Sequence, residues 1–378
     1  MRVTTRQASP VLILVMGILT TVLATHAYAQ PALKDAYKDY FLVGAALNEA
    51  QVSGTDSCEV ALIKKQFNTI SPENLLKWGL VHPEPNKYDF GPSDRYVEFG
   101  RENRMFIVGH NLVWHYETPT WVFQDDKGNP VDRDTLLARM REHILTVVGR
   151  YKGKIGGWDV VNEALDEDGT LRKSPWLRII GEDYLLKAYQ FAHEADPQAQ
   201  LYYNDYLLEN PGKREGAIAL IKKLQSQGIH IAAIGLQGHY NLNWPTTEDV
   251  GKTIQAFSSL GLKVMITELD IDVLPPASHS QAAEIGMNFE LQAKLNPYTN
   301  GLPDSVQQTL AKRYADLFAV FLKHRDSITR VTFWGVTDAN SCLNYWPVKG
   351  RTSYPLLFDR HCQPKPAFDA VVQAARHP

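Results

Sequence analysis

The 378-residue chain has only three cysteines, Cys58, Cys342 and Cys362, spread across its length. That is too few and too scattered for a disulfide framework or a thiolate metal site. At most one pair can close; Cys342 and Cys362 are the nearer in sequence, and the odd cysteine stays free or buried. There is no G-x-G-x-x-G after any strand-like segment to hold a dinucleotide, and no H-x-x-H spacing to hold a metal, so neither cofactor nor metal is expected. An excess of basic residues is also missing. The formal charge is −3, and subtracting the two positive charges of Arg2 and Arg6 in the first segment leaves −5, which disfavours a nucleic-acid partner. No short-period repeat, low-complexity tract or Ser/Thr/Pro-rich linker interrupts the chain beyond that segment, so one domain over 30–378 is expected.

The one long apolar run, Val11 to Ala24, lies behind Arg2 and Arg6 and ahead of Ala27-Tyr28-Ala29. This is the layout of a secretory signal over 1–29, with a small-x-small cleavage site, and it is short for a membrane anchor. The expectation is a mature chain that starts at Gln30, is secreted to the periplasm or beyond the cell, and is monomeric and free of the membrane.

What the chain does have is alternation. Eight strand-like segments, Leu42 to Leu47, Thr69 to Pro72, Met105 to His110, Gly157 to Asn162, Leu201 to Asn204, Ala233 to Gly238, Val264 to Glu268 and Thr329 to Trp334, are separated by helix-like ones. The latter carry apolar residues at helical spacing: Leu137, Met140, Ile144 and Val147; Ile218, Ile221 and Leu224; Val250, Ile254, Phe257 and Leu260; Leu310, Tyr314, Leu317 and Phe321. Eight such units predict an α/β fold, a single (β/α)8 TIM barrel, ahead of a doubly wound open sheet. Leu274 to Asp304, with four prolines, is the longest candidate loop.

The strand ends are unusual. The β-branched run of Trp158-Asp159-Val160-Val161 stops in Asn162-Glu163, and Val264-Met265-Ile266-Thr267 stops in Glu268-Leu269-Asp270. Taken alone, Glu163 could pair with a nearby Arg or Lys. Its company argues otherwise: Asn74, His110, Asn204, Gln237, His239 and Trp334 all fall at strand ends, the face on which barrels of parallel strands carry their chemistry. Strand parity aims Gln237 with His239 and Glu268 with Asp270, so His239 can reach both acids and help keep Glu268 ionised. Two carboxyls across a cleft, one protonated and one ionised, are the apparatus of glycoside hydrolysis. The plentiful Trp and Tyr suit the apolar faces of sugar rings.

These motifs together, Glu73-Asn74-x-x-Lys77-Trp78, Gly109-His110-x-Leu112-Val113-Trp114-His115, Trp158 to Glu163, Tyr203-Asn204-Asp205-Tyr206, Gly235-Leu236-Gln237-x-His239 and Ile266 to Asp270, resemble the family 10 glycoside hydrolases. The match runs in order from about residue 40 to residue 370. The resemblance implies endo-1,4-β-xylanase activity on xylan and xylo-oligosaccharides by a retaining double displacement, with carboxyls roughly 5 to 5.5 Å apart. It implies Glu163 as acid/base and Glu268 as nucleophile. Asn162 would bind the 2-hydroxyl beside the scissile bond, and Gln237 would support the nucleophile's side while His239 and Asp270 tune Glu268. Asn74, Lys77 and His110 would hold sugars on the non-reducing side, Glu73 and Asn204 would join the substrate contacts, and Trp114 and Trp334 would wall the reacting subsite. Where the family usually has a tryptophan after Ser341 this chain has Cys342, leaving the aromatic cage short of a wall, which would loosen sugar binding there unless Trp346 folds back to replace it. Two other readings are a barrel acting on cellulose or mixed β-glucan, and one that binds polysaccharide without cutting it.

Overall fold

The computed structural model describes residues 30–276 and 290–376. The signal expected over 1–29, and part of the candidate loop 274–304, lie outside the described residues. The main chain from Pro31 onward forms one compact unit.

Nine strands are present among the described residues: β1 (Leu42–Leu47), β2 (Thr69–Pro72), β3 (Phe106–Val113), β4 (Gly157–Asn162), β5 (Gln200–Asp205), β6 (Ala233–Leu236), β7 (His239–Asn241), β8 (Lys263–Asp272) and β9 (Ile328–Phe333). β1 to β6 pair in sequence order, β6 pairs with β8, β8 with β9, and β9 with β1. All pairings are parallel, and the ring closes on eight strands. The (β/α)8 barrel is therefore what the chain forms, and the open sheet is excluded by the β6–β8 and β9–β1 ladders.

Parallel strands covered on both faces read as continuous apolar runs, and here Val160, Val161, Val264 and Ile266 are almost fully buried. Around them the helix Arg133–Arg150 starts on Asp132, whose side chain accepts from the Thr135 N–H at 2.7 Å. It buries Leu136, Met140, Ile144 and Val147, with Leu137 only half-buried at the edge of the stripe. Helix Asp304–Lys323 buries Leu310, Tyr314, Leu317 and Phe321 in the same way. Removing the side chain of one such core residue beyond Cβ costs about 2–5 kcal/mol.

Three features differ from the sequence expectations. β6 stops at Leu236 because Gly238 takes a positive φ of 85°, and the chain resumes as β7, which pairs residue for residue with the end of β8. That partner carries β8 on to Asp272, four residues past Glu268. β3 likewise continues past His110 to Val113, where it pairs with Val161.

The third is the disulfide. Cys58 bonds to Cys362, across 304 residues, and Cys342 is free. Proximity in sequence favoured Cys342 with Cys362; barrel closure sets β1 against β9 and so brings the helix after β1 to the turn after β9.

Candidate active site

Glu163 is the first residue past β4. Its φ of +57° is left-handed, a conformation costing a non-glycine residue about 1–3 kcal/mol. Two backbone bonds hold it there: its N–H donates to the Asn204 carbonyl at 2.9 Å, and its own carbonyl accepts from Arg172 Nε at 3.2 Å. The turn swings the carboxyl into the cleft. Oε2 accepts from Trp114 Nε1 at 2.9 Å, and Oε1 accepts from Gln237 Nε2 at 3.0 Å and Asn162 Nδ2 at 3.2 Å.

Glu268, on β8, has different neighbours. Its Oε1 accepts from Asn204 Nδ2 at 2.8 Å, and its Oε2 lies 3.1 Å from His239 Nε2. The other ring nitrogen, Nδ1, lies 3.1 Å from Asp270 Oδ1. Burial disfavours the imidazolium, but the facing Asp270 and Glu268 outweigh it and raise the His239 pKa from 6.5 to about 10. Burial likewise pushes the Glu268 carboxyl up, yet the His239 hydrogen bond, the His110 and His239 charges and the Asn204 amide together leave it lowered. Glu268 is thus held as a carboxylate, as strand parity anticipated.

This arrangement has a sign. A pKa raised in the folded state means that the charged His239 contributes stability fully below pH 6.5, and that the contribution is lost as pH rises through about 10. His239→Ala removes the cation beside Glu268, so the acid limb of the kcat/KM–pH profile is expected to move to higher pH. An unmoved acid limb would show that His239 does not set the ionisation of Glu268.

Asn204 links the two sides. Its Nδ2 also donates to Asn162 Oδ1 at 2.8 Å, and its Oδ1 accepts from Thr267 Oγ1 at 2.6 Å. Since a threonine hydroxyl with an acceptor-only partner must donate, Thr267 orients the amide so that its N–H groups face Glu268 and the Asn162 side-chain oxygen. Gly235 on β6 makes room, because a Cβ there would fall 2.2 Å from Asn204 Oδ1.

The cleft has a volume of about 160 Å³. Glu73, Asn74, Lys77, His110, Trp114, Asn162, Glu163, Gln237, His239, Glu268, Trp334 and Trp346 all line it, with Cys342 among them. Lys77 Nζ donates to Asn74 Oδ1 at 2.7 Å and sits 5.0 Å from the Trp114 ring centre. His110 Nδ1 lies 2.9 Å from Asp159 Oδ2, and both His110 and His239 meet Trp334 edge-on, with ring centres 5.7 and 6.1 Å from it. Burial raises the Glu73 carboxyl pKa, with the Lys77 charge opposing. Burial pushes the Cys342 thiol up, so it is neutral at ordinary pH.

Two expected roles change. Asn204 is completely buried and absent from the cleft lining, so it holds Glu268 and Asn162 and does not meet a sugar. Gln237 was expected on the nucleophile's side, but its amide bonds to Glu163; only its backbone carbonyl serves Glu268, accepting the Glu268 N–H at 2.7 Å. Gly238 turns the chain between Gln237 and His239, and both side chains still face the cleft as parity expects. Asp270 is also buried behind His239, where its Oδ1 is hydrogen-bonded to the imidazole. Sequence reasoning missed Thr267, Asp159 and Arg172; the first two sit inside quoted motifs, whereas Arg172 carries no local signal.

The Glycosyl hydrolase family 10 model matches residues 32–374. An endo-1,4-beta-xylanase A of Xylanibacter ruminicola is 44% identical over 358 residues, 95% of this chain and 97% of that protein. A beta-1,4-xylanase of Dictyoglomus thermophilum is also 44% identical, over 91% of each chain. Among solved structures, a family 10 endoxylanase from a sugarcane soil metagenome superposes with a TM-score of 0.88 at 45% identity, covering 90% of this chain and 99% of that one. With the closed barrel, the paired glutamates and a match over nearly the whole length, the chain belongs to glycosyl hydrolase family 10.

Proposed function

We propose that this chain is a secreted endo-1,4-β-xylanase in which Glu163 is the acid/base and Glu268 the nucleophile. Membership of family 10 makes it a retaining glycoside hydrolase, and relatives that it matches over nine-tenths of its length are xylanases. The observation that carries the residue assignment is the unequal treatment of two carboxyls in one cleft. Glu268 shares a hydrogen bond with a cationic His239 and is kept ionised, whereas Glu163 receives only neutral donors, from Trp114, Gln237 and Asn162.

In the first step Glu163 donates its proton to the leaving glycosidic oxygen as a Glu268 oxygen bonds to the anomeric carbon. The C–O bond to the leaving sugar breaks, giving a covalent glycosyl-enzyme. In the second step Glu163, now a carboxylate, takes a proton from water, whose oxygen displaces Glu268. Asn162 is assigned to the 2-hydroxyl of the sugar at the reacting carbon. Asn74, Lys77, Glu73 and His110 are assigned to sugars on the non-reducing side, and Trp114, Trp334 and Trp346 to ring faces.

Reducing-sugar release by the purified chain from xylan and from soluble cellulose tests this. A ladder of short oligomers from xylan alone supports the reading, comparable release from cellulose broadens it to β-glycanase, and no release from either leaves a binding protein. Secretion rests on the charged and apolar layout of residues 1–29. Intact mass of the exported protein is expected to match a chain beginning at Gln30, and a mass that retains Met1 to Ala29 would sink that part.

Trp346 and the neutral Cys342 thiol line one cleft. If Trp346 supplies the aromatic face there, Cys342→Trp is expected to crowd it and change KM for xylo-oligosaccharides by about tenfold, the scale of a side chain's misfit in a pocket. Unchanged kinetics would mean that neither position touches the sugar.

A further inference from the structure

The left-handed backbone of Glu163 has to be held by something, and β4 ends one residue before it. After Glu163 the chain makes a small hairpin, Leu165 pairing with Leu171 around the turn Asp166 to Thr170. Asp168 accepts from the Thr170 N–H and hydroxyl at 2.9 and 2.7 Å, and Gly169 takes φ +87° where a Cβ would strike the Gly212 carbonyl at 2.3 Å. The hairpin returns Arg172 to the point where it began. The Arg172 N–H donates to Ala164 O at 2.8 Å, its Nε to the Glu163 carbonyl at 3.2 Å and its Nη2 to the Leu165 carbonyl at 3.1 Å.

The guanidinium is itself fixed from β5. Arg172 Nη2 donates to the Tyr206 hydroxyl at 2.6 Å, and the Tyr206 ring lies over Lys213 Nζ at 3.3 Å. Lys213 pairs with Asp205 at 2.7 Å, both wholly buried, and Asp205 accepts the Tyr206 N–H at 2.9 Å. A planar guanidinium with several donors in fixed directions can hold two carbonyls and a hydroxyl at once; an ammonium cannot do so in that plane.

We propose that Arg172 is a positioning residue for Glu163, locking the strained backbone that aims the proton-donating carboxyl at the leaving oxygen. It touches neither sugar nor reacting atom. The proposal rests on the reading of Glu163 as acid/base. Because misplacement of a catalytic group by about 1 Å can cost about 100-fold, losing the lock weakens proton donation more than sugar binding.

The test compares kcat/KM, which reports the first irreversible step, on xylo-oligosaccharides and on dinitrophenyl xylobioside, whose leaving group needs little protonation. Full-length Arg172→Met is expected to lose about 10- to 100-fold on the oligosaccharides and less than about threefold on the aryl glycoside. Arg172→Lys is expected to recover part of the loss. Tyr206→Phe removes only the hydroxyl that fixes the guanidinium and guards against misfolding of the arginine variants; it is expected to show the same selectivity at about 3- to 10-fold. Parallel losses on both substrates, or none on either, in both Arg172→Met and Tyr206→Phe overturn the proposal. Glu163→Ala run alongside separates the two claims. Its selective loss with parallel or absent effects at Arg172 and Tyr206 removes the positioning role alone, whereas its equal loss on both substrates removes the acid reading and the positioning role with it.

Discussion

Glu268→Ala is expected to abolish turnover of every glycoside, activated or not, with a fall of about 10⁴- to 10⁶-fold, the scale on which removal of a nucleophile acts. The reason is the step it serves. In the proposed mechanism no covalent glycosyl-enzyme forms without the Glu268 carboxylate, and a good leaving group cannot substitute for the missing bond. The structure adds a reason to expect a folded variant. Asn204 and His239 each lose one partner, but Asn204 keeps its bonds to Asn162 and Thr267 and His239 keeps Asp270, so each stays tethered in the network. Circular dichroism and kinetics on xylan and on an aryl xylobioside check this. Residual hydrolysis of the aryl glycoside near wild-type rate would remove Glu268 from the reaction.

Glu163→Ala is expected to behave differently. On xylan the loss is about 10²- to 10⁴-fold, the contribution of a positioned general acid. On a dinitrophenyl glycoside kcat/KM is expected to change little, because the leaving phenolate needs no proton. The kcat for that substrate is expected to fall, since the second step still needs Glu163 to activate water, and a burst of phenolate should precede slow turnover. Equal losses in kcat/KM on both substrates would count against the assignment. The contrast between the two variants follows from which carboxyl has the cation: His239 serves Glu268, while Glu163 has only the indole and two amides.

Both carboxyls were visible in the sequence because each follows an apolar, β-branched run; Glu163 does lie just past the end of β4, whereas β8 continues four residues beyond Glu268. The same reasoning found the barrel, since eight strand-like runs alternating with helical stripes leave few architectures. It also found the His239 bridge, because parity along β8 puts Glu268 and Asp270 on one face. It misjudged Gln237 and Asn204 for one reason. Parity says that a side chain points inward, but how far up the barrel it sits depends on register and on breaks such as the φ of +85° at Gly238. Asn204 sits low enough to be fully covered, and there it holds Glu268 and Asn162; Gln237 sits high enough to reach Glu163.

What the sequence determined by itself is local: the periods of strand and helix, the polar residues that end each strand, and the pair of glutamates, all properties of residues within a few positions of one another. What only the tertiary structure decided is everything set by ring closure. Closing β9 on β1 brought Cys58 to Cys362 and left Cys342 in the cleft. Packing β4 beside β5 brought Arg172 and Tyr206 together behind Glu163. Such contacts join residues tens to hundreds of positions apart, and no pattern along the chain encodes a distance that exists only once the barrel has closed.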